Sequence, residues 1–265
     1  MPAAATAFRS PINVSISVWK ALFLREAVTR LSRERMAWLW LLAEPVMHIV
    51  FLMFIFEVIR LRVVSGIDTA VWIMVGLLAF FMFRRPAQQG MNAVGANQAL
   101  FTYRQVKPVD TVLVRAILEG FLMVVVAVVV LIGAYLYGLA VVPADPLAVL
   151  EAFVALWLVA LGFALIASVA REMVPELGRF IAMLLRPLYF FSGVIFPLER
   201  IPQPYREWLM LNPVAHGLEA TRLGFAPGYR AVPETSVAYM YGFALIAVFL
   251  GLALHRRFSV RLATR

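Results

Sequence analysis

The chain has 265 residues, of which 63% are hydrophobic and only 15% are charged, yet its formal net charge is +9. A soluble domain is nearer half apolar, so this composition predicts an integral membrane protein. The absence of cysteine excludes disulfides, thiol catalysis and cysteine-based metal sites. In a membrane protein, an excess of positive charge usually marks the cytoplasmic side and not nucleic-acid binding.

The N-terminal residues precede the first apolar run. Residues 1–13 are predicted to be disordered, and they lack the apolar core and cleavage site of a signal peptide. Residues 14–35 predict an amphipathic interface helix with Glu26 on its polar side. Its apolar side carries Val14, Val18, Ala21, Leu24, Val28 and Leu31. Such a helix beside a span is expected to lie in the lipid headgroup layer, and a solvated helix is the alternative.

Six apolar runs follow and predict an all-α integral membrane protein with six transmembrane helices. The second run is short, so its helix should continue past Arg84 and Arg85 and place both at the cytoplasmic mouth. One transmembrane domain, residues 36–255, would precede a basic tail at residues 256–265. The spans are predicted near residues 37–59, 69–95, 111–142, 147–170, 180–197 and 236–254.

Positive charge is unevenly divided between the two sides of this six-span topology. Of the 24 Lys and Arg residues, 17 fall on the side of the two termini and 6, including Arg222, on the opposite side. Arg186 lies within the fifth span. The bias predicts that both termini are cytoplasmic and that the connection before the last span is periplasmic.

Two ionisable residues lie within the first span. Glu44 and His48 are four residues apart, so they could satisfy each other as a structural or gating pair. A proton-relay site is the alternative, because ionisable groups inside a span should face a cavity or a partner.

The apolar pattern breaks between the fifth and sixth spans, where three prolines follow one another at positions 197, 202 and 204. A short amphipathic segment carries Tyr205 and Trp208, and the N-cap pair Asn212-Pro213 predicts a second short helix. Residues 197–225 therefore predict a periplasmic re-entrant helical hairpin that borders a passage. The alternative is an ordinary amphipathic surface loop.

Several chemistries are missing from the sequence. Lys20 and Lys107 follow Trp and Val, so the chain contains no P-loop lysine. The three histidines lie on separate predicted elements, without metal-ligand spacing. We therefore expect neither a metal site nor an enzyme. A membrane-embedded transferase, the alternative from another class, would need acids or histidines clustered at one depth.

Five segments in fixed order resemble a known family. They are LFLREAVTR (22–30), MAWLWLLAEPVMH (36–48), ANQALFTYRQVKPVDT (96–111), RPLYFFSGVIFPLERIP (186–202) and LNPVAHGLEATR (211–222). The chain is similar, over residues 15–258, to the transmembrane subunit of capsular polysaccharide ABC exporters, the KpsM-like branch of the ABC-2 permeases.

The resemblance implies a homodimer in the bacterial inner membrane that binds two copies of a cytosolic ABC ATPase. ATP and Mg would bind that partner, and this chain itself would carry no cofactor. A periplasmic co-polymerase or adaptor and an outer-membrane pore would complete the system. The implied cargo is a lipid-linked polysaccharide. Another ABC-2 permease, for O-antigen, teichoic acid or a drug, is an alternative.

The resemblance also implies roles for particular residues. Residues 96–103 match a coupling helix that docks on the ATPase, through Asn97, Leu100, Phe101, Tyr103 and Arg104. Arginines in a semi-dry cavity would attract an anionic linker or lipid phosphate, and aromatic side chains would contact sugar. The candidates are Arg84, Arg85, Arg186, Tyr189, Phe190, Phe196, Tyr205 and Trp208. Alternatively, an Arg186–Glu44 pair joins spans one and five, and most phenylalanines face lipid or the core.

Overall fold

The computed structural model describes residues 11–32, 37–58 and 63–264. Residues 1–10, most of the segment predicted to be disordered, lie outside them. Two 3-10 helices occupy Gly95–Thr102 and Leu198–Arg200, and the strands β1 (Val63–Val64) and β2 (Ile67–Asp68) form an antiparallel hairpin. The α-helices are α1 Pro11–Ser32, α2 Ala37–Val58, α3 Thr69–Met91, α4 Pro108–Leu136, α5 Pro146–Met173, α6 Pro175–Phe191, α7 Tyr205–Leu209, α8 Pro213–Phe225, α9 Val237–Arg257 and α10 Ser259–Ala263.

Four of these helices, α3, α4, α5 and α9, are long and apolar enough to cross a membrane. The described part of α2 contains a shorter apolar stretch, Ala43–Phe56, and α6 has 17 residues. The described chain is therefore a mostly helical membrane protein with four clear candidate spans.

Polar caps and prolines explain where several helices begin. Asp68 accepts hydrogen bonds from the first turn of α3, and Asp145 accepts one at the start of α5. Asn212 Oδ1 accepts from Val214 N at 3.0 Å, and Pro213 occupies the first turn of α8. These side chains satisfy backbone N–H groups that have no partner within the helix.

Helix α5 lies at the centre of the fold, where it packs against α3, α4, α6, α8 and α9. Its seam with α9 is built on glycines. A Cβ added at Gly162 would lie 2.6 Å from that of Ala247, and one at Gly251 would lie 2.4 Å from that of Leu165. Small residues let membrane helices approach closely, so the two backbones are in direct contact along this seam. Near its end, Ser168 Oγ lies 3.0 Å from Nε2 of His255.

The loop after α8 docks on the β1–β2 hairpin. Arg230 N donates to Ser65 O at 2.9 Å. Gly66 has a φ of +93°, and a Cβ there would meet Gly228 O at 2.2 Å. Only glycine fits this turn and this close backbone approach.

Helix α1 packs by a different face from the one that the sequence predicts. Glu26, predicted on the polar side, is 8% exposed, and Leu22 beside it is 7% exposed. Leu24 and Val28, predicted on the apolar side, are more than half exposed. The reason is that Glu26 pairs with Arg115 in α4, so a charged residue faces the membrane domain.

Candidate functional site

A polar cluster joins α2, α3 and α6, and we call it the open cluster: Glu44, His48, Arg84, Arg85 and Tyr189. Arg85 Nη2 forms an ion pair with Glu44 Oε2. His48 Nε2 lies 2.9 Å from the Tyr189 hydroxyl oxygen. Arg84 is within electrostatic range of both His48 and Tyr189. Three helices that are separate in sequence therefore bring their ionisable groups to one place.

Two predicted pairings are wrong. Glu44 and His48 do not satisfy each other, because Glu44 pairs with Arg85 and His48 with Tyr189. The alternative Arg186–Glu44 pair is also replaced by the Arg85 ion pair. In both cases, the group pairs with a residue on a neighbouring helix and not with the expected partner.

Aromatic rings hold the tyrosine of the open cluster in place. The Tyr189 ring meets Phe80 edge-on, with centroids 5.2 Å apart, and meets Phe190 at 5.5 Å. His48 meets Phe81 edge-on at 5.7 Å. Such edge-to-face contacts fix the orientation of the rings, so the tyrosine hydroxyl has a defined direction.

The open cluster has excess positive charge and remains accessible. The Glu44 side chain is 58% exposed and Arg85 is 17% exposed. Arg84 is half-buried, and Arg186 is exposed on α6, one turn before Tyr189. Within the described ranges, no acidic side chain forms an ion pair with Arg84 or Arg186. The arrangement can therefore attract an anion, because a half-buried cation gains most from an anionic partner.

The other predicted aromatic contacts lie elsewhere. Phe196 is half-buried and packs against the small apolar cluster that contains Leu198 and Met210. Tyr205 and Trp208 are exposed on α7 and meet edge-on at 5.7 Å. In the part of the chain that the structure describes, no ring contact links these three residues to Tyr189.

A second polar cluster, which we call the closed cluster, was not predicted: Trp72, Glu219, Arg222 and Tyr229. Arg222 is 0% exposed, and its guanidinium lies 3.8 Å from the centre of the Trp72 ring. It donates to Gly193 O at 2.9 Å and lies 3.5 Å from Glu219 Oε1. A charge this deeply buried is tolerated because the ring, carbonyl oxygens and a carboxylate surround it.

The carboxylate of the closed cluster is satisfied in the same way. Glu219 is 0% exposed and accepts from the Tyr229 hydroxyl at 2.7 Å and from Val232 N at 3.1 Å. Burial, the main cause, raises the pKa of Tyr229, so its hydroxyl keeps its proton and continues to donate. The cluster connects α8 to α3, to the residues just after α6 and to the loop that follows α8.

The charge count assigned Arg222 to the outer side without expecting it to be buried, and the structure shows a fully buried side chain. One signal was available. Glu219 and Arg222 are three residues apart in a mostly apolar helix, where they face the same side. The backbone acceptors of Arg222, Trp72 O and Gly193 O, are distant in sequence, so no local pattern reveals them.

The predicted coupling helix is a 3-10 helix, Gly95–Thr102, and we call residues 95–107 the coupling segment. Its Tyr103 side chain is 62% exposed and Arg104 is exposed, while Leu100 is half-buried. Phe101 packs against an apolar cluster that includes Leu262 of α10. The exposed members of the predicted docking set therefore adjoin one another.

Asn97 differs from the rest of that set, since it is only 4% exposed. Its Nδ2 donates to Ala93 O at 2.8 Å, and its Oδ1 accepts from Arg25 of α1. Its amide faces the chain's own helices. Within the described residues, no three His, Asp or Glu side chains form a group that could hold a metal ion.

The four long apolar helices and the polar clusters between helices define a multi-span α-helical membrane protein. A family model described as "ABC-2 type transporter" matches residues 17–226, and the chain belongs to that family.

Several relatives match nearly the whole chain, the following three among them. The Polysialic acid transport protein KpsM of Escherichia coli is 36% identical over 94% of this chain and 96% of its own. The Capsule polysaccharide export inner-membrane protein CtrC of Neisseria meningitidis is 28% identical over 96% of both chains. The Capsule polysaccharide export inner-membrane protein BexB of Haemophilus influenzae is 25% identical over the same shares.

Proposed function

We propose that this chain is the membrane-spanning subunit of an ATP-driven exporter that moves lipid-linked capsular polysaccharide across the bacterial inner membrane. The observation that carries the proposal is the end-to-end similarity to relatives named for polysialic acid transport and capsule polysaccharide export. The open cluster supports it, because an exporter of an acidic or phosphate-linked glycan needs cations beside its path.

The proposed topology has six spans, with α2 and α6 added to α3, α4, α5 and α9. Helix α2 has 22 residues, so it is about 33 Å long, close to the thickness of the hydrocarbon core. Helix α6 is shorter, and the chain after it would re-enter the membrane as α7 and α8. Both termini would be cytoplasmic. The division of the Lys and Arg residues, 17 on the side of the termini and 6 on the other, supports this orientation.

A stripe on α6 supports a homodimer. Arg179, Met183, Arg186 and Phe190 follow one another at helical spacing, and all four are exposed in the single subunit. An arginine at membrane depth is costly if it faces lipid. This stripe would therefore face a second subunit or a water-filled passage between the two, with the open cluster beside it.

The ATPase would be a separate cytosolic subunit that binds ATP and Mg, because this chain has no P-loop lysine. Tyr103 and Arg104 are exposed side chains of the types that dominate protein interfaces, and they would anchor it. A periplasmic adaptor and an outer-membrane pore would continue the path. Movement of the coupling segment would rearrange the dimer interface and open the outer side.

The direct test is deletion of the gene, followed by complementation and by purification of the tagged chain. We expect capsule loss on deletion, restoration by the intact chain and co-purification of an ABC ATPase. A strain that keeps its capsule but loses another surface glycan would move the proposal to a different ABC-2 cargo. Labelling of residues 197–212 from the cytosol would contradict the proposed topology.

Docking of the ATPase is better tested at Tyr103 than at Phe101. Phe101→Ala would also leave a hole beside Leu262, whereas the exposed Tyr103 side chain packs little against its own subunit. We expect Tyr103→Ala to insert normally but to retain less ATPase on purification. Full retention and full export would remove Tyr103 from the interface.

A further inference from the structure

Helix α1 holds the coupling segment through two side-chain hydrogen bonds. Trp19 Nε1 donates to Asp110 Oδ1 at 2.9 Å, just after the segment ends. Arg25 Nη2 donates to Asn97 Oδ1, near its beginning. The two donors lie six residues apart on α1, so one rigid helix contacts both ends of the coupling segment.

Each acceptor on the membrane domain makes a second bond that shapes the local backbone. Asn97 Nδ2 donates to Ala93 O at 2.8 Å. Asp110 Oδ2 accepts from Lys107 N at 3.0 Å, which caps the start of α4. Asn97 and Asp110, which accept hydrogen bonds from α1, therefore also shape the backbone near the beginning of the coupling segment and just after its end.

Asn97 is also the point at which the 3-10 helix bends. Its φ of −121° and ψ of 15° are not helical, although residues on both sides of it are. The buried amide of Asn97 lies at this bend, hydrogen-bonded to both Arg25 and Ala93 O.

A buried ion pair fixes the rotation of α1. Glu26 pairs with Arg115 of α4, and each is 8% exposed. Arg25 lies 3.8 Å from the same carboxylate, so Glu26 helps to direct the guanidinium toward Asn97. Because such a pair is costly to break, α1 should stay in this register.

We propose that Arg25 and Trp19 are positioning residues: through Asn97 and Asp110 they set the conformation in which the coupling segment presents Tyr103 and Arg104 to the ATPase. The proposal rests on the proposed function, since it takes the ATPase as the partner of the coupling segment. In this proposal, α1 affects coupling through its hydrogen bonds to Asn97 and Asp110, and not through a direct contact with the ATPase.

The test uses the purified complex of the full chain with its ATPase, in lipid. Basal and glycolipid-stimulated ATP turnover are measured for Arg25→Ala, for Asn97→Leu and for the double variant. We expect each single variant to keep the ATPase bound, while stimulation relative to that variant's own basal turnover falls on the order of tenfold, as for loss of a charge-assisted hydrogen bond. The double variant should be no worse than either single one, because both remove the same bond.

Conservative variants supply a rescue arm. Asn97→Asp keeps an oxygen for Arg25 and should retain most of the stimulation that Asn97→Leu loses. Trp19→Phe keeps an aromatic side chain but removes the N–H group together with the five-membered ring, so it tests the Asp110 contact with less loss of packing than Trp19→Ala. Lys20→Ala is the matched control: it removes a cation from an exposed position of the same helix and should leave stimulation unchanged.

Three results would overturn the proposal. One is full stimulation in both Arg25→Ala and Asn97→Leu. Another is additive loss in the double variant, which would mean that the two residues act separately. The third is loss of the ATPase from Arg25→Ala but not from Asn97→Leu, because Arg25 would then contact the partner directly. If the unmodified chain itself binds no ATPase, the proposed function has failed instead.

Discussion

The closed and open clusters contain the same kinds of side chain, yet they differ in how their charges are satisfied. In the closed cluster, Arg222 and Glu219 are both 0% exposed and both hydrogen-bonded within the chain. In the open cluster, Arg85 has Glu44, but the described residues supply no anion for Arg84. The charges of the closed cluster are balanced within one subunit. The open cluster has positive charge that a ligand or a second subunit could neutralise.

This difference gives a criterion for telling structural arginines from arginines that are available to a ligand. A buried arginine surrounded by carbonyl oxygens and a carboxylate holds helices together. A half-buried arginine beside a tyrosine, with an exposed carboxylate as the only nearby acid in the described chain, is suited to an arriving anion. If the contrast is real, substitutions in the closed cluster should lower stability, and substitutions of the open-cluster arginines should weaken the response to glycolipid.

The largest effect is expected from Arg222→Met. This change leaves the Glu219 carboxylate buried without its cation, which costs about 3–5 kcal/mol of stability. Thermal unfolding in detergent is the measurement, with Arg256→Met as the control on an exposed position at the end of α9. Adding Glu219→Gln should recover part of the loss. Equal stability of Arg222→Met and Arg256→Met would show that the closed cluster does not stabilise the packing of α8.

Next comes the loss of an arginine from the open cluster. Arg84→Ala should raise the glycolipid concentration that half-stimulates ATP turnover by about tenfold, because a charge-assisted hydrogen bond is worth roughly 1.5–3 kcal/mol. Arg85→Ala should do less, since Glu44 already offsets its charge, and the double variant should do most. Unchanged half-stimulation in the double variant would remove both arginines from the site.

A smaller effect is expected from Tyr189→Phe. The ring contacts with Phe80 and Phe190 remain, and only the hydrogen bond with His48 is lost. The melting temperature should therefore report a loss of about 0.5–1.5 kcal/mol. A loss as large as that of Arg222→Met would mean that the open cluster, too, is mainly structural.

The smallest effect concerns pH. Partial burial tends to raise the pKa of Glu234, but hydrogen bonds from its own backbone N–H, Arg206 and Gln203 outweigh it and lower that pKa. A carboxylate with a lowered pKa contributes stability above its ordinary pKa and loses it as the pH falls through the lowered value. The stability gap between the unmodified chain and Arg206→Ala should be about 1 kcal/mol or less at pH 7. It should close at strongly acidic pH, and a gap that widens there contradicts the assignment.

The sequence predicts the long helices closely because hydropathy and capping are local properties. The second span was expected from residue 69 and α3 begins at Thr69, and the Asn212-Pro213 start of α8 also holds. Pairings across helices could not be read in this way. Glu44 meets Arg85 across 41 residues, and Arg222 stacks on Trp72 across 150, so only the packing reveals either partner.

The face by which α1 packs also could not be predicted from the sequence. The sequence ranks Leu24 and Val28 as the residues to bury, and hydrophobicity alone would choose them. The structure buries Glu26 because it forms an ion pair with Arg115 of α4. Which face a helix turns inward depends on its neighbour as much as on its own pattern. The docking roles of Tyr103 and Arg104 stay predictions until a partner is bound.

The glycine seam between α5 and α9 restricts sliding of these two helices past each other. Because Gly162 and Gly251 bring the backbones into contact, sliding one helix past the other would drive main-chain atoms into Cβ atoms. We therefore expect these two helices to serve as a stationary frame during the transport cycle. Rearrangement would then fall to helices outside the frame, such as α2 and α6, and distances measured within the frame offer a fixed reference for following them.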